Sequence, residues 1–561
     1  MKLLKSYGLY CIVAAICLQI GCQAIFISND TKQSSKPNKT SDQSKSDEPN
    51  QAEQSRVRAI AHYATGLFYE LQQDSQAAIE EYYKSATNDP SNEPLVIELA
   101  RRFLQKSDNS KAIELLKSAE KLPSSSGLIN AWLSLAYLQT GKTNESIEQA
   151  TIALKKKPDA ILARQCLVHA YIQQKKPSKA TRVLDEAEKV ESSDPYYWLD
   201  LAGLYLNDKS ELSKTIPNLN SKVVKILEKI KIQDISDPIM LQKLAESYNL
   251  CGETTKAIEI YLKLLNSFPQ LSIIRQKLTE LYLRSGNKAK ALEQLEFLVK
   301  NNPAQPNAYY ILGSLAAEDK QYKKAIDYFK NAIILDPENE PAYYELAATL
   351  LIDANPEEAL EVLAKARQKF QQSFPLEFYT GLALARLKNY TEALKHFTAA
   401  EVLAKATAPN QLNAFFYFQL GATYERTKNL SEAEKYFRKC IELSPNDAEA
   451  FNYLGYMWAE NGINLKEAHE FISKALALEP DNPAYLDSMA WVLFKLGKPD
   501  EALQYIEKAV KLSKEPDPVI YDHLGDILST LGRKKEAKQA WQKALDLEPN
   551  EQIKVKIDTA P

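Results

Sequence analysis

Apolar residues follow three successive patterns along the chain. Gly8–Ile20 is apolar apart from Gln19 and is preceded by Lys2 and Lys5. A stretch this short falls below the ~20 residues of a membrane-spanning helix, so residues 1–21 read as an export signal with a basic start and an apolar core. Residues 22–56 then turn polar, rich in Ser, Lys, Asn, Gln and Asp, with almost nothing apolar after Phe26. This predicts a flexible tether, and a coil of ~34 residues has an r.m.s. span of about 30–35 Å. From residue 57 to 550 apolar positions recur with helical spacing, broken at short intervals by Gly and Pro, which predicts many short helices and no sheet.

The helical region repeats itself. Aligned on Gly, Ala and Pro, units start at 59, 93, 127, 161, 195, 238, 272, 306, 340, 374, 414, 448, 483 and 518, and nine of the thirteen intervals are 34 residues. A sustained period of this length is the mark of a solenoid. Glycine occupies the eighth place of six units (Gly66, Gly313, Gly381, Gly421, Gly455, Gly525) and the fifteenth of six more (Gly141, Gly252, Gly286, Gly462, Gly497, Gly532). A mid-helix glycine at place 8 costs about 1 kcal/mol against alanine and suggests close backbone approach by a neighbouring helix. At place 15 glycine reads as the left-handed residue that ends a helix. Place 20 is alanine in eleven units, and a bulky side chain follows four residues on, as in Tyr82, Tyr261, Phe329, Phe397, Phe437 and Trp541. Proline closes seven units. Insertions near 207–220, followed by a helix-like Val223–Ile232, and near 401–413 divide the units into groups 1–5, 6–10 and 11–14. In the tail 551–561, Ile553, Val555 and Ile557 alternate with Lys554 and Lys556, a strand-like period that would fold back over the last helix or add to a partner's sheet edge.

Tyr521-x-x-Leu524-Gly525, with Ala537, Trp541 and Pro549, resembles the tetratricopeptide repeat. The resemblance implies an all-α solenoid of about fourteen helix pairs in a right-handed superhelix. It also implies a concave groove lined by places 2, 5, 9 and 12 of each first helix. Those places nominate Tyr310, Tyr344, Phe378 and Phe418 at place 5, Tyr456 and Trp491 at place 9, and Phe415 and Phe494 beside them. Asp487, Asp522 and Asp526 add negative charge to the same wall. A row of aromatics suits an extended or helical peptide with apolar anchors, although the same rings could instead pack between adjacent first helices. The Lys/Asn set by which some relatives grip a peptide carboxylate is absent here, which argues against a receptor for chaperone tails.

Leu18-Gln19-Ile20-Gly21-Cys22 resembles a bacterial lipoprotein cleavage box, with Leu18 one step earlier than that box places it. The resemblance implies lipidation of Cys22, the alternative being an ordinary or uncleaved signal. It also implies a bacterial envelope protein, outer-membrane and periplasm-facing by the Gln23 that follows the cysteine. Near the C-terminus Asn452-Tyr453-Leu454-Gly455-Tyr456, Asn461-Gly462-Ile463-Asn464-Leu465, Pro480–Ser488 and Tyr521–Asp526 are similar to a group of exported repeat lipoproteins. One member is an outer-membrane adaptor that joins a carboxy-terminal processing protease to cell-wall hydrolases. The implied function is a non-catalytic adaptor for protein or peptide partners, or alternatively a scaffold of an envelope export or assembly complex.

Composition narrows the chemistry further. Lys+Arg 70 against Asp+Glu 73 leaves a net charge of -3, with no basic excess to suggest nucleic acid. Six cysteines in 561 residues form no disulfide framework. Thr140-Gly141-Lys142-Thr143 ends like a phosphate loop, but Ala136 stands where that loop needs glycine. His469-Glu470 lacks the second histidine of a zinc helix, and the five histidines are scattered without metal spacing. Cys166, Cys251 and Cys440 fall at helix-packing places and read as small buried hydrophobes. The sequence therefore nominates no catalytic residue, metal site or cofactor.

Overall fold

The computed structural model describes residues 51–559, so the export signal, Cys22 and most of the tether lie outside the described residues. Within them are thirty α-helices, two short 3-10 turns and no strand. They divide into two compact units, one up to Ile226 and the other from Leu227 onward. The first holds pairs 1–4 and most of pair 5; the second holds the end of pair 5, pairs 6–14 and the C-terminal helix.

Thirteen first helices, from Glu93–Gln105 to Pro518–Thr530, are each 13 residues long and open at the start of a repeat unit. Proline at the first or second position presets the helical φ where an N–H would go unpaired anyway, as at Pro195, Pro238, Pro306, Pro483 and Pro518. Pair 1 departs from this: its first helix, Gln51–Leu71, is 21 residues long and begins inside the stretch expected to be tether. Place 15 takes positive φ in thirteen of the fourteen pairs. Six of these are glycines, and the other seven are Gln73, Ser107, Lys175, Lys320, Ala354, Lys388 and Lys428, with φ between 56° and 64°. The turn geometry is thus kept even where the residue resists it.

In five units the glycine at place 8 makes room for a ring rather than for backbone, which corrects the expectation of backbone approach there; at Gly455 the backbone does come close, with the Ala468 carbonyl 3.0 Å from where a Cβ would stand. A Cβ on Gly313 would lie 2.7 Å from the Phe329 ring, on Gly381 2.8 Å from Phe397, and on Gly421 3.1 Å from Phe437. The bulky residue at place 24 therefore lies flat on its own pair's first helix. Alanine at place 20 is buried in all eleven units that carry it, letting the second helix approach the first. Beside this apolar joint, places 4 and 23 face one another and in four pairs carry complementary polar groups. Asn130 donates to Gln149 Oε1 at 2.8 Å, Arg275 to Gln294 Oε1 at 2.8 Å, and His396 Nδ1 to Glu377 Oε2 at 2.5 Å. Pair 1 reverses the last arrangement, with His62 Nδ1 2.6 Å from Glu81.

The insertions are absorbed as helix. The first winds into Lys209–Leu212, and the second helix of pair 5 runs Leu219–Leu227, four residues ahead of the expected start. Leu219, Val223 and Ile226 form one buried stripe of this helix, which sets that earlier start. The second insertion lengthens Tyr390–Thr407 to 18 residues and ends in a turn at Pro409–Gln411.

The tail overturns the strand reading. Glu551–Thr559 is a helix folded onto the last pair, with Ile553 and Ile557 buried against Leu528 and Trp541, and Val555 exposed. Ile553 and Ile557 are four apart, so a helix puts both on one face, and the apolar surface of pair 14 selects that option.

Candidate functional site

Three successive first helices of the second unit, Glu340–Ile352, Phe374–Arg386 and Ala414–Arg426, wall a cleft of about 440 Å³. Its apolar lining comes chiefly from Leu351, Ile352, Tyr379, Leu382 and Phe415, with Arg386, Gln419 and Arg426 as polar members. Tyr390, at the start of the second helix of pair 10, also borders it. Arg426 Nε stands 3.4 Å from Glu425, whereas Arg386 has no ion-pair partner among the described residues. The cleft thus combines an apolar floor with two guanidinium groups, able to take an apolar side chain and a nearby carboxylate together.

Of the aromatic row expected from the sequence, only Phe415 lines this cleft, and it is 56% exposed. The place-5 residues turn the other way. Tyr310 lies 5.9 Å from the Phe329 ring, Phe378 5.9 Å from Phe397 and Phe418 5.7 Å from Phe437, all within their own pairs. Tyr344 is buried and donates to Glu340 Oε1 at 2.6 Å. The reason is helical geometry: places 5 and 8 share a face three residues apart, so the glycine that admits the place-24 ring also turns place 5 onto it. The expected places 2, 9 and 12 do line the cleft, through Phe415, Leu382, Ala422, Leu351 and Ala385, while places 6 and 13 join them where place 5 was expected, in Tyr379, Gln419, Arg386 and Arg426. The sequence reading passed over these, although arginine at place 13 of two consecutive units was visible in it.

The C-terminal residues form an internal network. Trp491 is buried, stacks on His523 at 3.9 Å and on Phe494 at 5.2 Å, and donates its indole N–H to Glu460 at 2.7 Å. His523 Nδ1 donates to Asp487 Oδ1 at 2.9 Å, both side chains buried, and the Tyr456 ring lies 6.3 Å from the imidazole. Burial pushes the His523 pKa down, but Asp487, Glu460 and Asp522 outweigh it and leave it raised. Burial, then Glu460 and Asp487, raises the Tyr456 hydroxyl. Asp522 and Asp526 do not present bare charge: Lys556 Nζ of the C-terminal helix bridges them at 2.7 and 2.8 Å, and Trp541 Nε1 donates to Asp526. The expected acidic wall is partly offset because the tail folds as a helix that carries one lysine to its two carboxylates.

Glu377 is the other buried carboxylate of note. Burial favours its neutral form, but His396, Arg367 at 2.5 Å and Gln372 at 3.0 Å hold its pKa down to about 2. Burial pushes the Cys166 thiol up to about 11, and burial with Asp447 and Glu449 pushes Cys440 up to about 12, which suits packing residues. Among the described residues no three His, Cys, Asp or Glu side chains are grouped as metal ligands, and no helix is long and apolar enough to cross a membrane.

No curated protein matches the sequence. Among solved structures, the chain is similar to a tetratricopeptide repeat protein from Parabacteroides merdae at 19% identity, covering 45% of this chain and 97% of that one, with a TM-score of 0.37. It is similar to PilF of Pseudomonas aeruginosa at 18% identity, covering 40% and 97%, with a TM-score of 0.34. It is similar to yeast Tom70 at 19% identity, covering 83% and 93%, with a TM-score of 0.30. Sequence profiles described as tetratricopeptide repeat match residues 51–93, 240–270 and, over half the chain, 269–550. With the 34-residue period and the glycine–ring joints of five pairs, these matches establish that the chain belongs to the tetratricopeptide repeat family.

Proposed function

We propose that the chain is a lipid-anchored, non-catalytic adaptor of the bacterial envelope that captures a peptide segment of a protein partner in the cleft of pairs 9–11. Proteins of this family generally mediate protein–protein interactions. The observation that carries the reading is the cleft itself, where Leu351, Ile352, Leu382 and Phe415 stand beside Arg386 and Arg426. Its chemistry selects an apolar or aromatic anchor with an acidic residue close by, a pairing in which burial supplies affinity and the guanidinium groups supply register. In-cell photocrosslinking tests it: a probe at Phe415 or Leu382 captures the partner, while a probe at Phe418, turned into the pair-11 joint, does not. Equal capture at all three positions, or at none, sinks the proposal.

The envelope placement rests on the Gly8–Ile20 and Gly21-Cys22 pattern. Acyl labelling of the native chain that disappears in Cys22→Ser is the expected outcome. The similarity of the C-terminal motifs to adaptor lipoproteins supports a protease or a cell-wall hydrolase as the partner, which pull-down from envelope extracts would recover.

A further inference from the structure

The two ends of the repeat series are finished differently. The last pair is covered by Glu551–Thr559, whereas the first helix, Gln51–Leu71, leaves Val57, Ile60, Leu67, Phe68 and Leu71 between 43% and 70% exposed. At 100° per residue these five, with Ala61 and Ala64, fall within about 120° of the circumference, opposite the buried Ala59 and Gly66. Their spacing is that of positions a, d and e of two heptads, the seam by which one helix packs on another. Residues 28–50, which lead into this helix, contain no large apolar side chain that could cover the stripe.

We propose that a second copy of this chain covers it, through antiparallel packing of the two Gln51–Leu71 helices about a two-fold axis near Ala64. Small side chains at Ala61 and Ala64 let the backbones approach at the axis, while Val57 meets the partner's Leu71 and Ile60 meets the partner's Phe68. The charges fix the direction. Arg56 and Glu70, whose Oε2 accepts from the Tyr82 hydroxyl of the same pair, lie on the same flank of the stripe at opposite ends of the helix, so only antiparallel packing sets each Arg56 toward the remaining oxygen of a Glu70; the helix dipoles favour the same sense. The stripe offers on the order of 500 Å² per copy, or about 1,000 Å² in total, the lower edge of a specific interface and suited to a reversible dimer.

Sedimentation equilibrium of the purified full chain over about 1–200 µM tests this at the concentrations such an interface requires. The expected result is a mass that doubles with concentration and stays monomeric in Ile60→Glu and Phe68→Glu, whose exposed positions leave the fold intact. A monomer throughout, or a dimer that survives both substitutions, overturns the proposal. So does loss of binding to neutral lipid vesicles in the same variants with their mass unchanged, which would make the stripe a lipid-facing surface. Orientation is read by oxidative crosslinking: Ala64→Cys forms a dimer and Val57→Cys, about 21 Å from its own copy, does not. Crosslinking at both positions indicates parallel packing and rejects the two-fold arrangement.

Discussion

At the scale of single residues, the turn at place 15 shows what the backbone demands independently of packing. Gly497 has φ 76° and open space around its absent Cβ, whereas Ala354 holds φ 58° with a Cβ present. Left-handed backbone costs a non-glycine residue roughly 1–2 kcal/mol, partly offset by the greater unfolded-state freedom of glycine. Ala354→Gly should therefore raise stability by about 0.5–1 kcal/mol in urea titrations, and Gly497→Ala should lower it by a similar amount. Glu377 supplies a second residue-level test. Its folded pKa, about 2, lies below the ~4.3 of an unfolded glutamate, so its contribution is present above that unfolded value and is lost as pH falls through about 2. Glu377→Gln should flatten the acid side of the stability profile between about pH 4.5 and 2; an unchanged profile would place the acid sensitivity elsewhere.

Within a helix pair, the glycine at place 8 and the ring at place 24 act as one joint. Alanine gains about 1 kcal/mol of helix propensity over glycine, so the sign of each Gly→Ala change depends on how far the ring can yield. The added Cβ would stand 3.1 Å from Phe437 at Gly421, 2.8 Å from Phe397 at Gly381, and closer still to the edge of the Trp541 ring at Gly525. The expected order of thermal destabilisation is Gly525→Ala, then Gly381→Ala, with Gly421→Ala near neutral. The joint between pairs 13 and 14 carries a pH dependence of the opposite sense to that of Glu377. His523 has a raised folded pKa, so the Asp487–His523 pair contributes fully below the ~6.5 of an unfolded histidine and is lost as pH rises through the folded value. Protection from amide exchange in Pro483–Lys495 and Pro518–Thr530, taken relative to the intrinsic base-catalysed rate, should fall on the alkaline side, and His523→Gln should remove that fall.

Across the whole molecule, each pair buries its surface only against neighbours, so damage should spread by adjacency. Deleting Glu551–Pro561 uncovers Leu528 and Trp541 and strips Asp522 and Asp526 of Lys556. Protection from amide exchange should fall in pair 14, less in pair 13, and remain unchanged in pairs 6–8. Uniform loss across the second unit would instead mean that it unfolds as one cooperative block.

The period, the pairing of helices, the turn at place 15 and the alanine joint at place 20 were legible in the sequence, because each depends on local spacing and on residues with few conformational options. The lining of the cleft was legible only in part: places 2, 9 and 12 contribute to it as expected, but place 5 does not. Places 5 and 6 differ by only about 100° of rotation, and which of them meets solvent depends on a ring nineteen residues away settling over a glycine. Likewise, nothing in Ile553, Val555 and Ile557 chooses helix over strand until the apolar surface of pair 14 offers one face to fit. Charge and exposure belong to the assembled neighbours: Asp522 and Asp526 look like a free acidic wall along the chain, and become a lysine's partners once the tail is folded onto them.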